Sequence, residues 1–462
     1  MRVHHSGVWI RVASAVLLTV AFSTTRMPAQ SQNPPKPDLQ QLKEKLAQLE
    51  QMMTEVKAEI GALEKPPSTA TPATPKETTQ ADKKPSRESD RALELYGFVQ
   101  LDSGYQFKQN DPDWFDVVRP TKLPAFKDEF APDGKVFFSV RQTRFGVKTS
   151  NPTPLGDLKT TFEFELFGTG VDAGQTTFRL RHAYGELGQF GAGQTSSPFM
   201  DIDVFPNTLE YWGPNGMVFF RNLQFRWMPI RGASRLTIAV ERPGASADGG
   251  VYSDRIELQG IKPKFDMPDI SWQARMAREW GYLQLAGIVR KITWVDTNND
   301  QFKLGDTAWG WGINVSSNLK FGKKDTGRVQ VVYGEGIENY MNDAPIDIGV
   351  KNNPGNPVTP IKGVALPVLG VVAFLDHNWN QRFSSAMGYS MVNIDNSNAE
   401  KPSDYHQGHY AVANLLYYPV KNVMVGGEFQ FGRRVNFSDG FNVNDYRLQF
   451  SLKYNYSKLM TY

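Results

Sequence analysis

Arginines recur in this chain at positions where an alternating polar and apolar pattern aims them at a wet face: Arg144, Arg179, Arg181, Arg226, Arg235, Arg275 and Arg290. In an extended strand successive side chains point to opposite faces, so each guanidinium shares its side with the other polar residues of its strand. A guanidinium is a planar fork of N–H donors that matches a carboxylate and cannot be deprotonated. Arg179 and Arg181 stand two apart and share one face, and several such groups together make a donor ladder that draws anions from solution. Glu163, Glu165, Glu241 and Glu428 lie in the same kinds of strand. For any single arginine, a salt bridge in a polar wall is therefore a sufficient explanation. The set as a whole predicts an anion-preferring surface.

A second cluster lies between residues 198 and 218, PFMDIDVFPNTLEYWGPNGMV. It combines Asp201, Asp203 and Glu210 with Phe199, Phe205, Tyr211 and Trp212. A loop of this composition is expected to fold into water-filled space and narrow it, with Asp201, Asp203, Glu210, Tyr211 and Trp212 at the constriction and the acids setting part of the field. The alternative is an external loop packed on its neighbours. Signals for covalent chemistry are weak. His406 and His409, three apart at a strand start, are aimed at opposite faces and make a poor metal pair. Gly191-Ala-Gly193 leads into Gln194-Thr-Ser rather than a Lys-Ser/Thr helix start, so it is no phosphate loop. With no cysteine there is neither a disulfide framework nor a thiolate metal site. The expectation is a protein that is not an enzyme and holds no cofactor or metal.

These residues sit on strands with one greasy and one wet face. In DYRLQFSLKYNY, residues 445–456, Tyr446, Leu448, Phe450, Leu452, Tyr454 and Tyr456 hold one parity, while Arg447, Gln449, Ser451, Lys453 and Asn455 hold the other. About sixteen such segments follow Leu93, several with an aromatic near an end, as at a membrane interface. In residues 309–321 the predicted outward row is Trp309, Trp311, Ile313, Val315, Leu319 and Phe321. Near Arg141 and Arg144 the apolar residues slip phase, which predicts a bulge. The connections alternate long and short along the chain, a parity that a soluble sandwich has no reason to keep and an outer-membrane barrel does. The composition agrees, with 12 % aromatic residues and 40 glycines. There is no apolar run of about 20 residues for a membrane helix, and a net charge of +3 argues against nucleic acid as a partner. The fold class is all-β: a transmembrane antiparallel β-barrel of about 16 strands, preceded by a coiled-coil helix.

The N-terminal quarter divides differently. Arg2 and Arg11 precede a short apolar run and Met27-Pro28-Ala29, the form of a secretory signal peptide over residues 1–29. Leu39, Leu42, Leu46, Leu49, Met53, Val56, Ile60 and Leu63 then alternate spacings of three and four, an a/d seam over residues 38–64 that predicts a coiled coil between chains. Residues 65–91 hold almost no large apolar side chain and form a Pro/Thr/Lys-rich disordered tether, and the barrel occupies 92–462. An even strand number places both barrel ends, and with them the coiled coil, in the periplasm.

The order of parts resembles the DcaP-like porins of Gram-negative outer membranes. So do the stretches LYGFVQLDSGY (95–105), RQTRFGVKT (141–149), FRLRHAYGEL (178–187), AGQTSSPFMD (192–201) and LQFSLKYNY (448–456). The resemblance implies a sixteen-stranded barrel, a homotrimer joined through the coiled coil, and passive uptake of small anionic solutes, dicarboxylates among them. It also implies an inward loop and pore-lining arginines, which within the matching stretches are Arg144, Arg179 and Arg181. The chain departs from the pattern after Tyr456, running on through Ser457 to Tyr462. The function expected is an integral outer-membrane porin for small hydrophilic solutes that favours organic anions, with outer-membrane lipid, copies of itself and small anions as partners. Two alternatives stand beside it: an envelope tether whose barrel is an anchor for periplasmic partners, and a barrel-type lipid hydrolase.

Overall fold

The computed structural model describes residues 91–461. The signal peptide, the coiled-coil seam and, Arg91 apart, the tether lie outside the described residues. The strands follow from the alternation. In the last of them Arg447, Gln449 and Ser451 are buried, while Tyr446, Leu448, Phe450 and Tyr454 are exposed on the outer face. Along residues 309–321 the pattern is equally clean: Trp309, Trp311, Ile313, Val315 and Phe321 face outward, and Asn314 and Ser316 are buried inside. An apolar outer face and a polar inner face are what lipid outside and water inside demand, since a charge on the lipid face costs about 2–4 kcal/mol at mid-membrane.

In chain order the strands are β1 (Ala92–Gln106), β2 (Lys135–Ser139), β3 (Arg144–Thr153), β4 (Gly156–Phe167), β5 (Thr176–Leu187), β6 (Phe190–Ser196) and β7 (Arg221–Ile230). Then come β8 (Arg235–Glu241), β9 (Ile261–Lys264), β10 (Asp269–Arg278), β11 (Gly281–Asp296), β12 (Asp306–Phe321) and β13 (Asp325–Glu335). Last are β14 (Ile348–Asn352), β15 (Ile361–Ala365), β16 (Pro367–Asn378), β17 (Phe383–Ile394), β18 (Tyr405–Tyr417), β19 (Val423–Asn436) and β20 (Asn442–Thr461). Neighbours pair antiparallel, and β20 closes on β1 in a continuous register from Ala92↔Thr461 to Gln106↔Arg447. Residues Ser457 to Thr461 therefore lengthen the closing strand, and closure leaves the wall without an edge.

Two wall strands are broken. β2 pairs with the far half of β1 and β3 with its near half, and β9 continues the line of β10 along β11. Counting each broken strand once, and setting aside the separate β14–β15 hairpin, the twenty strands make a closed barrel of 16. The first break is where the phase slips in the sequence. It is a turn rather than a one-residue bulge, closed by Thr143 N–H donating to Val140 O, and it carries Arg141 onto the buried Asp116.

Connections on one rim are short, such as 154–155, 188–189 and 279–280, and those on the other are long, above all 107–134, 197–220 and 336–366. The three long loops do not stay outside the wall. Phe199, Met200, Val218, Ile337, Tyr340 and Met341 from two of them form an apolar core with Ile288, Val332, Val368, Val392 and Ile394 from inner faces of the wall. That core fills the barrel on the side of β11–β17, and the open passage is left on the opposite side, against β20, β1 and β3–β7.

Candidate functional site

The passage is a cavity of about 610 Å³. One wall is strand: Phe98, Arg144, Arg179, Arg181, Gln194, Arg221 and Lys453. The other is loop, with Phe205, Tyr211, Trp212, Phe220 and Asn342 among its residues. The strand wall is built by register. Arg144 of β3 stands opposite Glu165 of β4, and Glu165 opposite Arg179 of β5. The β4–β5 register shifts on either side of this point, between Glu163 and Phe164 and between Glu165 and Phe167, and Arg181 reaches both glutamates. Its Nε donates to Glu163 Oε1 at 2.6 Å and its Nη1 to Glu165 Oε2 at 2.5 Å. Arg179 Nε donates to Glu165 Oε1 at 2.7 Å and Arg144 Nη2 to Glu165 Oε2 at 3.3 Å. Arg221 lies 3.8 Å from Glu165. Four guanidiniums thus surround two carboxylates, an excess of two positive charges on one wall. Arg144 and Arg179, with side chains 23 % and 19 % exposed, are more open to the passage than Arg181 and Arg221.

The loop wall is tied down residue by residue. Tyr211 Oη accepts from Arg179 Nη2 at 2.6 Å, and its ring stacks on Phe167 with centroids 4.3 Å apart. Trp212 and Trp114 meet edge to face with centroids 4.7 Å apart, and the guanidinium of Arg119 lies against both, 4.1 Å from each ring. Arg119 also donates to Asp343 at 2.9 Å, and Trp212 Nε1 donates to the Asn342 carbonyl at 2.9 Å. Loops 107–134, 197–220 and 336–366 are joined at this point. Glu210 is buried, accepts from Val118 N–H at 3.0 Å and from the Tyr410 hydroxyl at 3.0 Å, and has its carboxyl pushed up to about 7 by burial and the nearby Glu428. Glu338, fully buried with neither carboxylate oxygen hydrogen-bonded, is raised well above the ordinary range by burial and by Asp347.

Asp201 and Asp203 face away from the arginine wall. Asp201 is fully buried and accepts from Arg275, from the Tyr282 hydroxyl at 2.8 Å and from Ser316 Oγ at 2.6 Å. Asp203 takes the other arm of Arg275 and lies 3.4 Å from Arg235. Arg290 is fully buried between Asp269 at 3.0 Å and Asp347 at 2.9 Å. Arg226 donates to Gln224 Oε1 at 2.7 Å and to the Ser196 carbonyl at 2.6 Å. All four of these arginines point inward, yet none lines the cavity; they anchor loops or brace neighbouring strands.

Arg119, Arg221 and Lys453 are cavity residues that the arginine pattern did not single out. Arg119 lies in a loop with no period, and Arg221 comes three residues after loop 198–218, at the first position of β7, before an alternation is established. A density of acids and aromatics resembling that of loop 198–218, in Glu338, Tyr340, Asp343 and Asp347, is the sequence signal that could have flagged the 336–366 loop as inward.

The family model of the DcaP outer membrane protein matches residues 30–456. Among solved structures, the outer membrane channel DcaP of Acinetobacter baumannii superposes with a TM-score of 0.64 at 21 % identity, covering 79 % of this chain and 97 % of that one. The anion-selective porin from Comamonas acidovorans superposes with a TM-score of 0.51 at 10 % identity, covering 79 % and 100 %. Among curated proteins no sequence match is found. With its closed 16-stranded wall and long inward loops, the chain belongs to the DcaP outer membrane protein family, porin-like barrels integral to the outer membrane.

Proposed function

We propose that this barrel is a passive channel for small hydrophilic solutes that favours organic anions, dicarboxylates among them, and performs no covalent chemistry. The observation that carries the reading is the excess of guanidiniums over carboxylates on the cavity wall, Arg144, Arg179, Arg181 and Arg221 against Glu163 and Glu165. In a confined low-dielectric passage such an excess raises the local concentration of anions, and the planar forks on Arg144 and Arg179 match a carboxylate. Loop 197–220 is the constriction in this reading: Tyr211 and Trp212 border the passage, while Asp201 and Asp203 hold the loop to the far wall. Arg226, Arg235, Arg275 and Arg290 serve the channel as anchors of its shape.

The assembly is a homotrimer in the same proposal, joined by the a/d seam from Leu39 to Leu63 in the periplasm. This is supported by the spacing of the seam and by Ala92 entering the wall on the short-turn rim, the periplasmic side of such barrels. Planar-bilayer conductance of the purified protein, with dicarboxylate and phosphate as competing solutes, tests the function. Reduced chloride current on adding either anion is expected; current unaffected by both removes the anion preference.

A further inference from the structure

Of the cations that line the passage, Lys453 differs from the rest. Arg119, Arg144, Arg179, Arg181 and Arg221 each have a carboxylate within 4 Å. Among the described residues Lys453 has none, and its ammonium makes no hydrogen bond. It projects from β20, the closing strand, at the inner position opposite Gln100 of β1, and its Nζ rests 3.8 Å from the centre of the Phe98 ring. The guanidinium of Arg144 lies 5.2 Å from the centre of that ring. The two charges are therefore at most about 9 Å apart, the sum of the two distances. A ring face attracts a cation only modestly, and a half-buried charge with no counter-ion is costly to keep. Two cations beside one aromatic ring, one of them with no carboxylate within 4 Å, form a site that an anion from solution completes.

We infer that Lys453 and Phe98 form a second anion subsite across the barrel seam, which holds one carboxylate of a diacid while Arg144 and Arg179 hold the other. The inference rests on the anion-channel reading and assigns to Lys453 the part of telling a diacid from a monoacid. Cations no more than about 9 Å apart lie within reach of the two carboxylates of one short diacid such as succinate.

The test is block of chloride current in planar bilayers by succinate and by butyrate, for the wild type, Lys453→Met and Lys453→Arg. Met keeps the length of the side chain and removes the charge. Unchanged heat-modifiable migration shows that each variant is folded. The expected result is a half-blocking succinate concentration about tenfold higher in Lys453→Met, the loss of one charge-assisted contact. Butyrate should barely move, and Lys453→Arg should return toward wild type. Succinate block of Lys453→Met equal to wild type overturns the inference, and so does an equal loss for the two acids. A wild type that prefers cations defeats the anion reading itself, whereas an anion-selective wild type with an unmoved Lys453→Met defeats the Lys453 subsite alone.

Discussion

Asp201 is the strongest tie between loop 197–220 and the wall, so Asp201→Ala should release the front of that loop. The carboxylate is fully buried and accepts from Arg275 on β10, from the Tyr282 hydroxyl on β11 at 2.8 Å and from Ser316 Oγ on β12 at 2.6 Å. Removing it leaves the Arg275 side chain, 6 % exposed, with Asp203 as its one remaining carboxylate, itself 47 % exposed. Breaking a buried ion pair costs about 3–5 kcal/mol. Because Asp203 stays, the lower end applies to Arg275, about 3 kcal/mol, and each orphaned hydroxyl adds on the order of 1 kcal/mol. At about 1.4 kcal/mol per factor of ten, the equilibrium constant for seating the front of the loop falls by a factor of about a thousand or more. The Glu210 contacts, and the N–H groups of Leu209 and Glu210 that donate to Glu428 at 2.7 and 2.8 Å, still hold the rear of the loop, so the barrel itself stays folded. Single-channel recording should show larger conductance and greater open-channel noise. Removing both partners is far less costly than removing one, so Asp201→Ala/Arg275→Met should be quieter than Asp201→Ala alone. A folded Asp201→Ala barrel with wild-type conductance and noise would refute the reasoning.

The rear of the loop predicts a pH response. The Glu210 carboxyl is raised from 4.5 to about 7, so the folded loop favours its neutral form. That contribution is present in full below about pH 4.5 and is lost as pH rises through about 7. Channel noise should therefore rise across that upper range in wild type and stay flat in Glu210→Gln, as recorded at stepped pH. Trp212→Ala removes one of two rings that lie against Arg119 and the donor to Asn342, a loss of about 2 kcal/mol or more at a desolvated cation–π contact. Limited proteolysis should then cut loops 107–134 and 336–366 faster than in wild type. A variant lacking residues 30–91 should run as a monomer by light scattering yet keep its conductance per channel; a trimer would remove the coiled coil from the assembly.

Period-two alternation carried nearly all of the fold, because lipid on one face and water on the other impose it on every wall strand. DYRLQFSLKYNY is the clearest instance: its outward and inward rows stand where alternation puts them, and its register with β1 closes the barrel. The phase slip near Arg141 was visible too, although local pattern could not distinguish a bulge from the turn that carries Arg141 to Asp116. Alternation states which face a side chain takes. It does not state which loop will fold against that face. Arg144, Arg179 and Arg181 line the passage, whereas Arg275 and Arg290, equally inward, meet Asp201, Asp203, Asp269 and Asp347 under the loops. Asp201, Asp203 and Asp347 lie far away in sequence, as does Asp343 from Arg119, so no spacing rule could pair them; Asp269 differs, standing one step beyond the Ile270↔Val289 pair of the β10–β11 hairpin.

Neutralising Arg179 and Arg181 removes two of four guanidiniums facing Glu163 and Glu165, taking the local excess from two positive charges to none. The reversal potential of Arg179→Gln/Arg181→Gln in a potassium chloride gradient, set against wild type, tests the anion preference most directly. An anion-selective wild type and a double variant shifted toward cations are predicted. A cation-selective wild type, or a potential that the two substitutions leave unmoved, would contradict it.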